Sequence, residues 1–244
     1  MSALALPTRR DEAFRYADLA ALERVWPVAP ERIVLEPGEA RSQAIVLDAP
    51  HDVARSLAVE LNAGAKFDLR VLNAGAAYGR LSLDVTLREG ADFTFGAAQL
   101  GGGAQTLEIV TVVTHAAPDA TSRQTIRSVL AGHATGTYLG KVAVARGADG
   151  TDAAQSVRAM LLDKTATANA KPELEIFADD VKCAHGCAVG ELDQAALFYM
   201  ASRGLPPAEA KRLMLQAFIA EAFVGAADED KLTAAALARL ETLV

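Results

Sequence analysis

KPELEIFADDVKCAHGCAVG, residues 171–190, is the stretch on which both the fold and the chemistry of this chain turn. It carries both cysteines, Cys183 and Cys187, with His185 between them at every second position. Side chains alternate between the two faces of an extended strand. Val181, Cys183, His185, Cys187 and Val189 therefore project from one face if the segment is a strand. Thiolates and an imidazole suit iron or zinc. An iron–sulfur cluster takes four protein ligands, mostly cysteine, so this stretch supplies at most part of such a site. At ~3.3 Å per residue, Cys183 and Cys187 lie about 13 Å apart along the strand, too far for a disulfide. Cys183 and His185, about 6.6 Å apart on the same rise, can share one ion. The plainer reading makes Val181, Cys183 and Val189 small inward core residues, because a free cysteine packs as a small hydrophobe.

Outward from this stretch, the chain between about Ile33 and Val189 falls into short alternating runs. They include Ser56–Leu61, Lys66–Leu72, Arg80–Leu87, Phe93–Phe95, Leu107–Val113, Gly136–Val144 and Leu174–Phe177. Turn signals recur at Gly64-Ala65, Gly90-Ala91, Asp119-Ala120 and Gly147-Ala148, at nearly even spacing. Even spacing predicts a coiled β-solenoid in which each coil packs only on its neighbours. Short strands every ~8–12 residues serve a β-sandwich equally well, so periodicity leaves both folds open.

The two ends have helical texture. DEAFRYADLAALER, residues 11–24, reads as one amphipathic helix with Phe14, Leu19 and Leu22 on one side, ended by Trp26-Pro27 and Pro30. After Gly190, Asp193 can cap a helix through Arg203, with Gly204 closing it. Pro206-Pro207 open a second helix, which carries Met214, Leu215, Phe218, Ile219 and Phe223 as an apolar stripe. A third, over Asp230–Leu243, repeats Leu232, Ala236, Leu240 and Leu243. The expected organisation is an N-terminal helical segment over 1–32, a β core over 33–190 and a C-terminal helical subdomain over 191–244. Packing against the end of the β core is one use for these stripes.

Composition narrows the function classes. With 51% hydrophobic residues among 244, there is ample material for a large core. A net charge of −7 shows no nucleic-acid footprint. Two cysteines in this length argue against a disulfide scaffold and for a reducing, cytoplasmic setting. MSALALPTRR has too short an apolar run for a secretory segment, and no stretch approaches the ~20 apolar residues of a membrane span.

Catalytic motifs fare poorly. Gly136–Val142 mimics a phosphate loop, but it has one residue too few between its glycines, and Val142 replaces the hydroxyl residue. Gly101-Gly102-Gly103 lacks the third spaced glycine of a dinucleotide site. There is no G-x-S-x-G or H-E-x-x-H, and His51-Asp52 is followed by Val53. Asp179-Asp180 suits a turn rich in side-chain-to-backbone hydrogen bonds. His115 and His133 sit beside turns and are expected to be solvated.

KPELEIFADDVKCAHG, continuing through AVGELDQAALFYMASRGL, resembles the C-terminal signature of the SufB/SufD family of iron–sulfur cluster assembly scaffolds, and is nearest its SufD side. GTYLGKVAVARGADGTDAAQSVRAMLLDKTATANAKPELEI matches the family's glycine-lysine strand and TDA-x-Q segment, and DEAFRYADLAAL is similar to the family's opening. The match covers most of residues 120–224. Cys187 departs from the pattern, which usually has alanine there. The chain is shorter than many members, so part of their helical region or several coils is expected to be missing.

The resemblance implies a mainly β fold, a right-handed parallel β-helix core with appended helices. It implies a non-catalytic scaffold working with a SufB-like chain and a SufC-like ATPase, or forming a homodimer when alone. Cys183 and His185 would lie at the interface with the SufB-like chain, where a cluster forms transiently or iron enters. Leu197, Met214 and Phe218 would contact the ATPase, which alone hydrolyses ATP. No cofactor is expected to be held stably by this chain. Reduced flavin is associated with the family's full complex, although the chain carries no flavin motif. A different class, a small zinc hydrolase using Cys183, His185 and Cys187 with Asp179 or Asp180 as base, is the alternative.

Overall fold

The computed structural model describes residues 5–243. After a single 3₁₀ turn at Glu12–Phe14 and helix α1 (Leu19–Glu23), the chain enters a run of strands: β1 (Pro30–Leu35), β2 (Ala40–Leu47), β3 (Val53–Leu61), β4 (Lys66–Ala74), β5 (Tyr78–Leu87), β6 (Asp92–Gly101), β7 (Thr106–His115), β8 (Thr121–Leu130), β9 (Thr135–Val144), β10 (Asp152–Leu161), β11 (Thr167–Ile176) and β12 (Lys182–Gly190). Helices α2 (Gln194–Ser202), α3 (Pro207–Ala220) and α4 (Glu229–Leu240) follow.

The odd strands form one six-stranded sheet and the even strands another, each in sequence order. Every pairing is parallel, for example Leu69 with Phe95 and Gln155 with His185. Successive strands thus alternate between sheets and climb one coil for every two strands, which makes a parallel β-solenoid and not a sandwich. Parallel crossovers are right-handed in ~98% of cases, the hand that the resemblance implies.

In-register stacking sorts side chains into columns. Inward positions of β4, β6, β8, β10 and β12 stack as Phe67–Phe93–Ser122–Ala153–Cys183 and as Leu69–Phe95–Gln124–Gln155–His185. Phe67, Phe93 and Phe95 have successive ring centroids 6.1 and 6.2 Å apart inside the lumen. Burying each of these side chains contributes about 1.5–3 kcal/mol, so the early coils hold most of the apolar stabilisation.

One corner repeats a left-handed turn residue at Gly38, Gly64, Gly90, Asp119 and Gly150, whose φ values lie between 59° and 74°. Each amide donates to the carbonyl preceding the equivalent position one coil on: Gly64 to Glu89, Gly90 to Pro118, Asp119 to Asp149, Gly150 to Asp180. The fourth expected turn, Gly147-Ala148, is present, with Gly147 at φ 77°, but it is Asp149-Gly150 just after it that continues the column.

The N-terminal segment is not one helix. Arg80, buried with Glu108, donates to the Ala13 carbonyl at 2.8 Å, and the Asp18 amide donates to Glu108 at 2.9 Å. These anchors take backbone groups out of the helical ladder between the 3₁₀ turn and α1, and Asp18 then caps α1 by accepting from Ala21. The clamp lays the segment over the outer face of the odd-strand sheet.

α3 and α4 lie on the outer face of the even-strand sheet, along its flank and not its end. Leu215, Ile219, Phe223, Leu232, Ala236 and Leu240 pack on Leu72, Ala98, Leu100 and Val129. Arg127 bridges to Glu221 at 2.6 Å and Arg70 donates to the Ala222 carbonyl at 2.9 Å. Gly96 permits this approach, since a Cβ there would collide with the Ala222 carbonyl. Among the described residues no helix is long and apolar enough to cross a membrane.

Candidate functional site at the open end of the solenoid

Among the described residues, β11 and β12 form the last coil, and each pairs on one side only, β11 with β9 and β12 with β10, which leaves their outer edges unpaired. Such edges offer N–H and C=O groups to a further strand. Proline is tolerated on edge strands because it has no amide to donate. Pro172 breaks the free edge of β11, whereas β12 carries no proline.

β12 places Cys183 above Ala153, His185 above Gln155, Cys187 above Val157 and Val189 above Ala159. All four β10 partners are buried in the lumen. The β12 residues therefore face inward as the alternation predicts, yet His185, Cys187 and Val189 are exposed because no coil covers them. Cys183 is half-buried among Val142, Val144, Ala148, Leu174 and Val181. The core reading and the site reading thus meet at one residue: Cys183 seals the apolar cluster while its neighbour His185 is open.

Both thiols are free. Burial, with the nearby Asp152 charge adding to it, pushes the Cys183 thiol above its ordinary range, against a backbone hydrogen bond at Ala153. Burial also raises that of Cys187, whose Sγ lies 3.9 Å from the Ala170 carbonyl. Because metals bind the thiolate, capture of an ion here releases a proton. Asp179 and Asp180 are exposed in the turn before β12, where the Asp180 carbonyl accepts from Gly150.

A straight strand spreads Cys183, His185 and Cys187 over three lumen columns. Among the described residues, no three His, Cys, Asp or Glu side chains converge as a metal set. The zinc hydrolase reading finds no support here: its three ligands do not gather around one point.

The C-terminal helices carry a second exposed feature. Leu197, Met214 and Phe218 are half-buried against the helix–sheet core, and Phe218 lies under the Arg127 guanidinium at 5.8 Å. The open apolar surface belongs instead to their neighbours. Phe198 is 77% and Tyr199 58% exposed, and an open groove runs past Leu197, Phe198, Ala201, Pro207 and Ala208. Sequence periodicity on α3 missed this patch, which sits on α2.

Other functional-looking residues were also missed. His115 is fully buried, with Nε2 2.9 Å from Ser122 Oγ, which corrects the expectation that it is solvated. The strand alternation Ile109, Thr111, Val113, His115 carries the signal, since it assigns His115 to the lumen. Gly136–Lys141, the near-miss phosphate loop, is strand β9, where Gly140 leaves room for the Tyr138 hydroxyl.

A family model described as SUF system FeS cluster assembly, SufBD core domain, matches residues 51–218. The chain is 34% identical over 158 residues to an iron-sulfur cluster assembly SufBD family protein of Synechocystis sp., covering 64% of this chain and 35% of that relative. It is 40% identical over 119 residues to the chloroplastic protein ABCI7 of Arabidopsis thaliana, covering 48% and 25%. It is 37% identical over 108 residues to the iron-sulfur cluster assembly protein SufD of Escherichia coli, covering 44% and 26%. The matched stretches span about a third or less of those relatives' own lengths. With more than half of its residues matched and a parallel solenoid to carry them, the chain belongs to the SufBD core family of the SUF iron–sulfur cluster assembly system.

Proposed function

We propose that this chain is a non-catalytic scaffold subunit of a SUF assembly complex, working at the open end of its solenoid. The observation that carries this reading is the last coil. There an unpaired strand edge, a half-buried thiol and an exposed imidazole share one surface. A second solenoid of SufB type docks along Lys182–Gly190, where the free edge has all its amides, in preference to the proline-broken edge of β11. Cys183 and His185 then face ligands from that chain, and together they complete a site for iron or a nascent cluster as cargo. Neither holds a cluster alone, since two donors fall short of four. The α2 surface, Leu197 with Phe198 and Tyr199, binds a SufC-type ATPase, with Met214 and Phe218 supporting it from beneath. ATP hydrolysis belongs to that partner. Two free cysteines fit the reducing cytoplasm.

Hydrogen exchange on the chain with and without a SufB-type partner tests the docking edge. Protection concentrated in residues 182–190 supports it. Unchanged exchange there, with a complex formed, contradicts it. The same experiment on the chain alone at rising concentration shows whether a second copy takes the edge instead.

A further inference from the structure

The lumen column that ends on His185 changes character along its length. Leu69 and Phe95 are wholly buried and apolar, while Gln124 and Gln155 are 1% and 2% exposed. Thr111 and Tyr138 meet the two amides from the opposite sheet. The Tyr138 hydroxyl donates to Gln124 Oε1 at 3.1 Å and accepts from Gln155 Nε2 at 3.3 Å. Thr111 Oγ1 lies 3.0 Å from the same hydroxyl and 3.2 Å from Gln124 Oε1. This fixes the direction of the Gln155 amide, because its nitrogen end is committed to Tyr138. Its carbonyl, Oε1, is buried with no hydrogen-bond partner.

A buried carbonyl without a donor is unfavourable, and native structures rarely leave one. Its neighbours along β10, Ala153 and Val157, have no donor to offer. Gln124, one coil below, turns its oxygen to Tyr138 and leaves its own Nε2 unpartnered, so the two amides do not satisfy each other. One coil above stands His185, in register with Gln155. Adjacent strands lie ~4.8 Å apart, within the span of a hydrogen bond between two long side chains. The imidazole carries the N–H that the carbonyl lacks.

We propose that Gln155 is a positioning residue for His185: its buried carbonyl accepts one ring N–H, fixes which nitrogen is protonated, and presents the other nitrogen's lone pair at the open end. A ligand histidine is ordinarily held this way, with its second nitrogen bonded to an oxygen behind it. Tyr138 and Gln124 brace the glutamine from below, so the polar ladder in the last coils serves the exposed ring. This inference rests on the reading of His185 as the cargo-facing residue.

Ring-nitrogen NMR on the full chain, labelled at histidine and free of metal and partners, tests it at pH 8, where a free imidazole is neutral. One His185 tautomer should dominate, by roughly five- to tenfold more than in a free histidine, as an ordinary hydrogen bond supplies. Gln155→Leu should return the free-histidine mixture, and Gln155→Glu, which keeps an acceptor, should restore the preference. A wild-type mixture equal to that of free histidine overturns the proposal, whether or not Gln155→Leu folds. So does a single tautomer that survives Gln155→Leu, the outcome expected if the carbonyl turns to Gln124. Because no cluster is involved, a preserved cluster yield in His185→Ala overturns the functional reading and leaves the pairing standing. A failed tautomer test does the reverse.

Discussion

The second and third coils fill their lumen with Phe67, Leu69, Phe93 and Phe95, whereas the fourth and fifth put Ser122, Gln124, Tyr138 and Gln155 in the same space. The backbone is the same in both, down to the register of each pairing. The difference lies in what the columns lead to. The apolar half leads back to Arg41 and Gln43 of β2 in the first coil, with no thiol or imidazole there, and serves to hold the coils together. The polar half ends on Cys183 and His185, and exchanges hydrophobic stabilisation for directed hydrogen bonds beneath an exposed imidazole.

Truncation in the apolar half should show the larger effect. Phe95→Ala removes a wholly buried ring stacked on Phe93 and should cost about 3–5 kcal/mol in denaturant unfolding. A loss under ~1 kcal/mol, typical of surface sites, would deny that this half carries the stability.

Tyr138→Phe should cost less, about 1–3 kcal/mol, by leaving Gln155 Nε2 and Gln124 Oε1 short of a partner in the interior. An unchanged melting midpoint would show that the ladder closes without its hub.

His115 adds a pH signature to the polar half. Burial lowers its pKa from 6.5 to about 4, so it is neutral in the fold, while the unfolded chain takes up a proton below about 6.5. The unfolded state binds more protons in this window, so stability falls as pH drops from 6.5 towards 4. Between pH 7 and 5 the loss should be on the order of 1–2 kcal/mol. His115→Leu should flatten that slope, and a variant that retains the full slope would assign it to other groups.

The smallest effect belongs to the rim. Cys187→Ala should shift stability by less than about 0.5 kcal/mol, since its thiol is exposed and touches one carbonyl only weakly. A larger loss would mean that the open end is more tightly packed than its exposure shows.

The same contrast explains how far the sequence could be read. Strands with apolar inward rows were legible: Lys66–Leu72 and Arg80–Leu87 lie inside β4 and β5, and Gly136–Val144 inside β9. β8 and β10, TSRQTIRSVL and DAAQSVRAML, are not legible as strands from alternation. Their inward positions hold Ser122, Gln124 and Gln155, and their outward face holds Arg127 for the Glu221 bridge, so polar and apolar residues no longer alternate. The C-terminal helix boundaries followed from local chemistry, with Asp193 capping α2 and Gly204 in the left-handed region beyond it. The N-terminal helix did not, because Arg80 and Glu108 break it from 60 or more residues away in sequence. Of the site, the shared face of Cys183, His185 and Cys187 was legible from period two. Their exposure was not, since it depends on β12 being the last coil.

Cluster formation in a complex reconstituted with SufB-type and SufC-type chains tests the working face most directly. His185→Ala should leave the complex assembled and lower cluster yield sharply, with Cys183→Ser giving a similar or weaker loss and Cys187→Ala little. Full yield from His185→Ala, with yield abolished by Cys187→Ala, would contradict the assignment of the open end's chemistry to Cys183 and His185.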